Sequence, residues 1–357
     1  MEYNGTFDDL TNTSINSILY LGPNTCKDGD NVSKIVAGGL DGNLTAAIEF
    51  FQAIFTASVN ALTIVAVLKT AGLRSIANMY VISLAISDML TGILMFYEFV
   101  LRLPGLRRHL DEHYFVCASV FVSVYITICE SMLCVVLISF ERFMYICYPF
   151  KYEILFTPAS AKKSIAVTWI ISSCFGLFPF FLNVEHKFKG CFYGVVSKKF
   201  YFYGTGLSFY ISMALCLFLN ISILRVAVRH RSRMNTTVFV ASSSVAVKTP
   251  ILSHMKMIKT FLIINIVFYL CWLPWITCSI LRKFVCINDT LLDLFGIFGM
   301  SSGGVNFIVY ALLNDDFRKA FKKLVCCFRS NRLEDSSGTD NNAHIGLSQL
   351  TKKYLRK

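Results

Sequence analysis

Residues 114–147 read YFVCASVFVSVYITICESMLCVVLISFERFMYIC, and this stretch decides the fold. Only Glu130, Glu141 and Arg142 carry charge within it. A helix needs about 20 consecutive apolar residues to cross the hydrocarbon core of a bilayer, and the run that ends at Phe140 exceeds that length. It therefore spans a membrane, with residues to spare for tilting and for projecting into the cytoplasm. Glu141-Arg142 ends the membrane part. An arginine buried there must find acceptors, and the adjacent Glu141 is the obvious one. Ordinary snorkelling at the membrane edge is the plainer alternative.

Six runs of the same kind flank this one, at about 46–68, 77–101, 164–183, 203–228, 257–281 and 291–313. Composition agrees: the 357-residue chain is 55% hydrophobic and 16% charged, where a soluble domain carries about 25% charged residues. The formal net charge of +12 does not point to nucleic acid, because such binders spread basic charge over a water-facing surface. The expected fold class is an all-α membrane protein, a seven-transmembrane helix bundle (46–313) with a C-terminal amphipathic eighth helix (314–328). In that helix Phe317, Phe321 and Leu324 share one face with Lys and Arg opposite, the pattern of a helix lying at the membrane interface.

Charge sets the orientation. The arm 1–45 holds Glu2, Asp8, Asp9, Asp28, Asp30 and Asp41 against Lys27 and Lys34, whereas Arg229–Lys259 holds six Lys/Arg and no acid. The segment from Asp315 onward is also basic. Lys/Arg-rich loops stay cytoplasmic during insertion, so the arm is expected outside and the C-terminus inside, as an odd number of spans requires. The first 25 residues show neither a basic n-region nor an apolar h-region, so the first span is expected to act as its own insertion signal. The sequons at Asn4, Asn12 and Asn31 crowd the acidic arm and are the expected glycosylation sites. Cys326 and Cys327 follow the amphipathic helix as palmitoylation candidates, and 329–357 is polar enough to be disordered. The expected location is the plasma membrane.

Ionisable groups in hydrocarbon cost a few kcal/mol and mark functional sites by default. Asp88 lies mid-span, with Asn60, Ser131 and Asn306 at comparable depth. Together they make an oxygen-rich cluster suited to a hard cation such as sodium; a protonated Asp88 satisfied by hydrogen bonds is the alternative. Glu98 could act as counter-ion for a cationic ligand or pair with Arg102 one turn on. Glu130 is expected to face a neighbouring helix.

These residues together resemble the rhodopsin-like (class A) family of G-protein-coupled receptors over about 44–328. Glu141-Arg142-Phe143 is similar to the family's (D/E)R(Y/F), and Cys271-Trp272-Leu273-Pro274 to CWxP with Phe268 before it. Asn306-Phe307-Ile308-Val309-Tyr310 resembles NPxxY with its trailing Phe317, while Asn60, Leu84 with Asp88, and Trp169 fit the first, second and fourth spans. Cys117 precedes Arg142 by the family spacing, which implies a disulfide to Cys191. The resemblance implies a receptor without chemistry of its own. A ligand entering between the outer helix ends would favour an outward swing of the sixth span, opening a cytoplasmic cavity for a heterotrimeric G protein. Glu141, Arg142, Phe268, Trp272, Pro274, Asn306 and Tyr310 would carry that switch, and arrestin, a receptor kinase and membrane lipid are further implied partners.

Departures from the pattern carry expectations of their own. Ser212, Asn220 and Met132 replace the usual Pro, Tyr and Ile. Phe307 replaces the Pro of NPxxY, so the seventh span should be less kinked. His254 stands where many members carry the Glu that locks Arg142 to the sixth span, so a weaker lock and some ligand-free signalling are expected. Val124 occupies the position of the amine-binding Asp, which argues against a standard biogenic amine, and no Lys in the seventh span could hold retinal. The implied pocket is Tyr97, Glu98, Val124, Tyr125, Ile128, Trp272, Trp275, Ile276 and Ser279, an apolar bowl with one acid, with Arg282, Lys283, Lys198 and Lys199 around its mouth. Ser212 and Glu98 are similar to melanocortin receptors and Val124 to adenosine receptors, so no subfamily is assigned.

The rival classes are weaker. A transporter would show repeats or several pathway-facing charges. An enzyme would need metal spacing that His109, His113 and His186 lack. A seven-helix scaffold without G-protein coupling is the nearest alternative.

Overall fold

The computed structural model describes the backbone of residues 42–101, 103–182, 191, 199–240, 250–282, 284, 285 and 287–324. Seven helical segments make the bundle: Gly42–Lys69, Ile76–Leu101, Tyr114–Cys147, Pro158–Leu182, Lys199–Val240, Pro250–Leu281, and a pair, Asp289–Met300 with Ser302–Leu313. They are the first to seventh spans. Five are long and apolar enough to cross a membrane as single helices, and the bent pair makes a sixth. The fourth span carries Lys162 and Lys163 near its start and packs along the third. Each helix reaches or passes the expected span boundaries except at one or two terminal residues. The fifth span's extension beyond 228 opens with Arg229, His230, Arg231 and Arg233, which end its apolar run.

The third span is the axis of the bundle. It packs against the second, fourth, fifth and sixth, while the first touches both the second and the seventh and so closes the ring. Close approach of the first and second spans depends on Gly92, where a Cβ would stand 2.7 Å from Ala57 N and 2.8 Å from Ala53 O. Two short helices, Pro104–Glu112 and Pro149–Leu155, fill connections read from sequence as loops. Each has Pro in its first turn, where the missing N–H costs nothing. Cys117 at the head of the third span forms a disulfide with Cys191, Cα–Cα 5.6 Å.

The seventh span corrects one expectation. It bends by 42° between Met300 and Ser302, although Phe307 has replaced the proline expected to kink it. The break lies in Gly299-Met300-Ser301-Ser302-Gly303-Gly304. The Ser301 amide is shared between Ile297 O at 3.1 Å and Phe298 O at 3.2 Å. A Cβ on Gly303 would stand 3.0 Å from Asp88 Cγ, and one on Gly304 3.0 Å from Phe55. Small residues therefore let the bent segment sit against the first two spans, and Asn60 Nδ2 donates to Gly303 O at 3.1 Å.

The amphipathic helix runs over 315–324, capped by Asn314, whose Oδ1 accepts from the amides of Asp316 and Phe317. The apolar face expected from the sequence packs on the bundle, with Phe317, Phe321 and Leu324 buried. Phe317 is fully buried and stacks on Tyr310 with centroids 4.8 Å apart, and Phe321 meets Phe307 at the same separation. The phenylalanine that replaced proline thus became a landing site for this helix. The arm with Asn4, Asn12 and Asn31, and Cys326 and Cys327, lie outside the described residues, as do Arg102, Lys283, Lys198 and the side chains of His254 and Lys199.

Candidate functional site

At the disulfide end of the bundle a cavity opens between the third, fifth and sixth spans. Counting its open mouth, it encloses about 810 Å³. Val124, Tyr125, Ile128, Trp272, Trp275, Ile276 and Ser279 line it, as the sequence implied, together with Phe121, Phe209, Phe268 and Ile280. Two expected members do not. Tyr97 is 44% exposed on the second span, and Glu98 is buried and already engaged. The second span packs chiefly on the first and third, and the cavity lining comes from the third, fifth and sixth. The bowl is therefore apolar without the expected acid among its described residues. Arg282, expected at the mouth, is buried rather than ringing it. Tyr210 and Thr277 tie the fifth span to the sixth through their hydroxyls, 2.9 Å apart.

Trp272 floors the cavity and links it to what lies below. Its indole N–H donates to Ser302 Oγ at 3.2 Å, and its ring packs on Gly299, where a Cβ would come within 2.9 Å. Trp272 thus rests on the break of the seventh span. Beneath it is a second, smaller cavity lined by Thr56, Asp88, Thr91, Ser131, Ser302 and Gly303. Ser131 donates to Asp88 Oδ1 at 2.8 Å and Asn306 Nδ2 to Oδ2 at 2.9 Å, so three of the expected polar residues do meet. Asn60 reaches the group only through the Gly303 carbonyl. Thr56 Oγ1, buried and without a hydrogen-bond partner, joins the cavity lining and had no signal in the sequence.

Glu130 faces neighbouring helices, as expected. It is fully buried and accepts hydrogen bonds from Ser83 at 3.2 Å, Thr168 at 3.0 Å and Ser172 at 3.1 Å, with the Cys134 thiol at 3.2 Å. Trp169 N–H donates to Ser83 and completes the knot between the second, third and fourth spans.

At the far end Arg142 is clasped rather than snorkelling. Its guanidinium pairs with Glu141 through Nε and, at 2.8 Å, through Nη2. It lies over the rings of Tyr145 and of Phe261, the latter on the sixth span at 5.2 Å. Tyr152, on the short helix after the third span, donates its hydroxyl to Glu141 at 2.7 Å. Burial, and then that hydrogen bond, raises the Tyr152 phenol above its ordinary range. One turn up, Ser139 donates to Asn265 Oδ1 of the sixth span at 2.8 Å, while Asn265 Nδ2 donates to Phe261 O in its own helix. Reading the sequence for a charged lock at His254 missed this pair, although a lone Asn in an apolar span was the available signal. The short helix also shows two apolar side chains to solvent, Phe150 at 86% and Ile154 at 78% exposure. Neither was singled out from the sequence.

Among known proteins, the family described as 7 transmembrane receptor (rhodopsin family) matches residues 59–310. The D(1A) dopamine receptor of Xenopus laevis is 27% identical over 346 residues, covering 81% of this chain and 74% of the relative. The D(1)-like dopamine receptor of Takifugu rubripes is 29% identical over 319 residues, covering 76% and 67%. The histamine H2 receptor of Homo sapiens is 27% identical over 318 residues, covering 85% and 84%.

Proposed function

The chain belongs to the rhodopsin family of seven-transmembrane receptors, and from that premise we propose that it passes an extracellular signal to heterotrimeric G proteins. The N-terminal arm faces outside, glycosylated at Asn4, Asn12 and Asn31, and the basic end faces the cytoplasm at the plasma membrane. The ligand enters the apolar cavity and presses on Trp272. An agonist acts only through its differential affinity for two arrangements of the bundle, here with the sixth span closed on or swung away from the third. Pro274 lacks the N–H of a helix interior, which makes the sixth span easier to bend beside Trp272.

One observation carries the reading. Arg142 and Asn265 join the third and sixth spans at the cytoplasmic end through a ring contact and a buried hydrogen bond. Swinging the sixth span away would release Arg142 from Phe261 toward a partner. Phe150 and Ile154 offer that partner an apolar foothold next to the opening. Asp88, Ser131 and Asn306, with Thr56, form an all-oxygen side-chain set apart from the Asn306 amide nitrogen, and would hold a sodium ion that favours the closed arrangement. Cys326 and Cys327 would add a lipid anchor, and the distal serines and threonines would serve a receptor kinase and arrestin.

The test is ligand-free G-protein activation, read by subunit-dissociation sensors across the α classes at equal surface expression. Wild type should exceed mock-transfected cells, Asn265→Leu should exceed wild type, and Arg142→Ala should fall to mock. Signals equal to mock for all three in every α class would overturn coupling and favour the scaffold reading.

A further inference from the structure

The hydroxyls near the cavity share one habit. Ser208, Ser212 and Thr277, on the fifth and sixth spans, each donate to a carbonyl of their own helix, at 2.8, 2.8 and 2.6 Å. Thr127 and Ser119 on the third span do the same, at 2.9 and 2.8 Å. This is the usual way for a serine or threonine to satisfy itself inside a helix. Ser279 departs from it. It is 1% exposed, lines the cavity, and its Oγ has no hydrogen-bond partner. A buried polar group left unpaired is costly, and this one stands against the cavity between the third, fifth and sixth spans.

The rest of that space carries no charge. Among the described residues no Asp, Glu, Lys, Arg or His lines it. An ammonium ion moved there would lose its hydration with no carboxylate to replace it, and that loss is prohibitive for an isolated charge. An uncharged molecule faces no such penalty. Flat ring faces are supplied by Phe121, Tyr125, Phe209, Phe268, Trp272 and Trp275, and aromatic side chains of this kind favour offset or edge contact with another ring.

We infer that the cavity takes an uncharged, largely apolar, ring-bearing ligand held by a single hydrogen bond to Ser279 Oγ. The ligand class separates this chain from the dopamine and histamine receptors it is similar to, whose names specify amines. Ser279 is the specificity residue, and the fully buried hydroxyl gains its missing partner when the ligand arrives. The inference rests on the receptor reading for its biological consequence, since ligand binding itself needs no G protein.

The test uses the full chain in lipid nanodiscs and matched probes that differ in one group. Tryptamine, its alcohol counterpart tryptophol, and 3-ethylindole, which lacks the terminal polar group, are titrated while Tm is followed. Tryptophol should half-saturate at about tenfold lower concentration than tryptamine, and at about fivefold lower concentration than 3-ethylindole, the worth of one net hydrogen bond. Ser279→Ala should erase the preference for tryptophol over 3-ethylindole. Val124→Asp should reverse the order of tryptophol and tryptamine. The inference is overturned if tryptamine binds wild type as tightly as tryptophol, if tryptophol produces no shift, or if 3-ethylindole matches it. The comparison of the three probes on wild type stands even where a variant does not fold. Failure here with Asn265→Leu still activating a G protein would sink the ligand class alone; tryptophol binding with every variant silent would sink the coupling alone.

Discussion

Around the cavity, Val124, Ile128, Phe268 and Ile276 offer a ligand surface with almost no polar demand. A few turns along the same spans, Ser139, Glu141, Arg142 and Asn265 are buried and bound to one another. The third and sixth spans thus carry two regions built on different terms. Apolar contacts are nondirectional and weaken gradually as surfaces part, so the cavity can change shape around a guest at modest cost. Buried hydrogen bonds are directional, and a group left without its partner loses about 1–3 kcal/mol. The region around Arg142 therefore resists gradual deformation more than the cavity wall does.

The largest effect should come from breaking the polar middle. Glu130→Ala would strand the Ser83 and Ser172 hydroxyls in a dry interior while Thr168 keeps its bond to Ile165 O, at a cost of about 3 kcal/mol, read as a clear loss of Tm. Glu130→Gln, which keeps the acceptor oxygen, should lose markedly less. Equal losses would mean that size, not hydrogen bonding, is what Glu130 provides. Next is the switch itself. Ser139→Ala and Asn265→Leu each remove one side of the pair, and each should raise ligand-free signalling about fivefold, the double variant adding little more. Additive effects would show that the two residues act separately. A smaller change should follow Phe150→Ala, lowering coupling with Tm unaltered, because the side chain is 86% exposed.

The smallest concerns Tyr152. Tyr152→Phe removes one hydrogen bond to Glu141 and should cost about 1 kcal/mol. The phenol is raised above its ordinary value by burial and then by Glu141, so the folded state favours its neutral form. Its contribution is then complete below the ordinary tyrosine range near 10 and lost only as pH rises beyond it. The stability difference between wild type and Tyr152→Phe should be flat from about pH 6 to 9. A slope across that window would mean that another titrating group sets the inner region.

How much of this could be read from residues alone follows from the length scale of each signal. The spans were legible because hydrocarbon demands about 20 apolar residues whatever the fold. The Cys117–Cys191 bridge is legible through the resemblance, the Glu141–Arg142 pair through adjacency in the chain, and the Asp88–Ser131–Asn306 cluster through comparable depth in the spans. That Glu98 is buried outside the cavity lining was not, because a span's rotation is fixed by its neighbours. The bend at Ser301 was misjudged for a similar reason: proline is one cause of a break, and glycines admitted against Asp88 and Phe55 are another.

By itself the sequence determined that this chain crosses the membrane in several helices, that one end is basic, and that no acid stands at Val124. Those are properties of composition and order, and any packing must respect them. The tertiary structure alone decided that Glu98 stays out of the cavity, that Ser279 is left without a partner, and that Asn265 finds Ser139. Each of these depends on which face of one helix meets another at a distance of a few ångströms. Side chains 126 positions apart, as Ser139 and Asn265 are, meet only because the helices between them pack as they do.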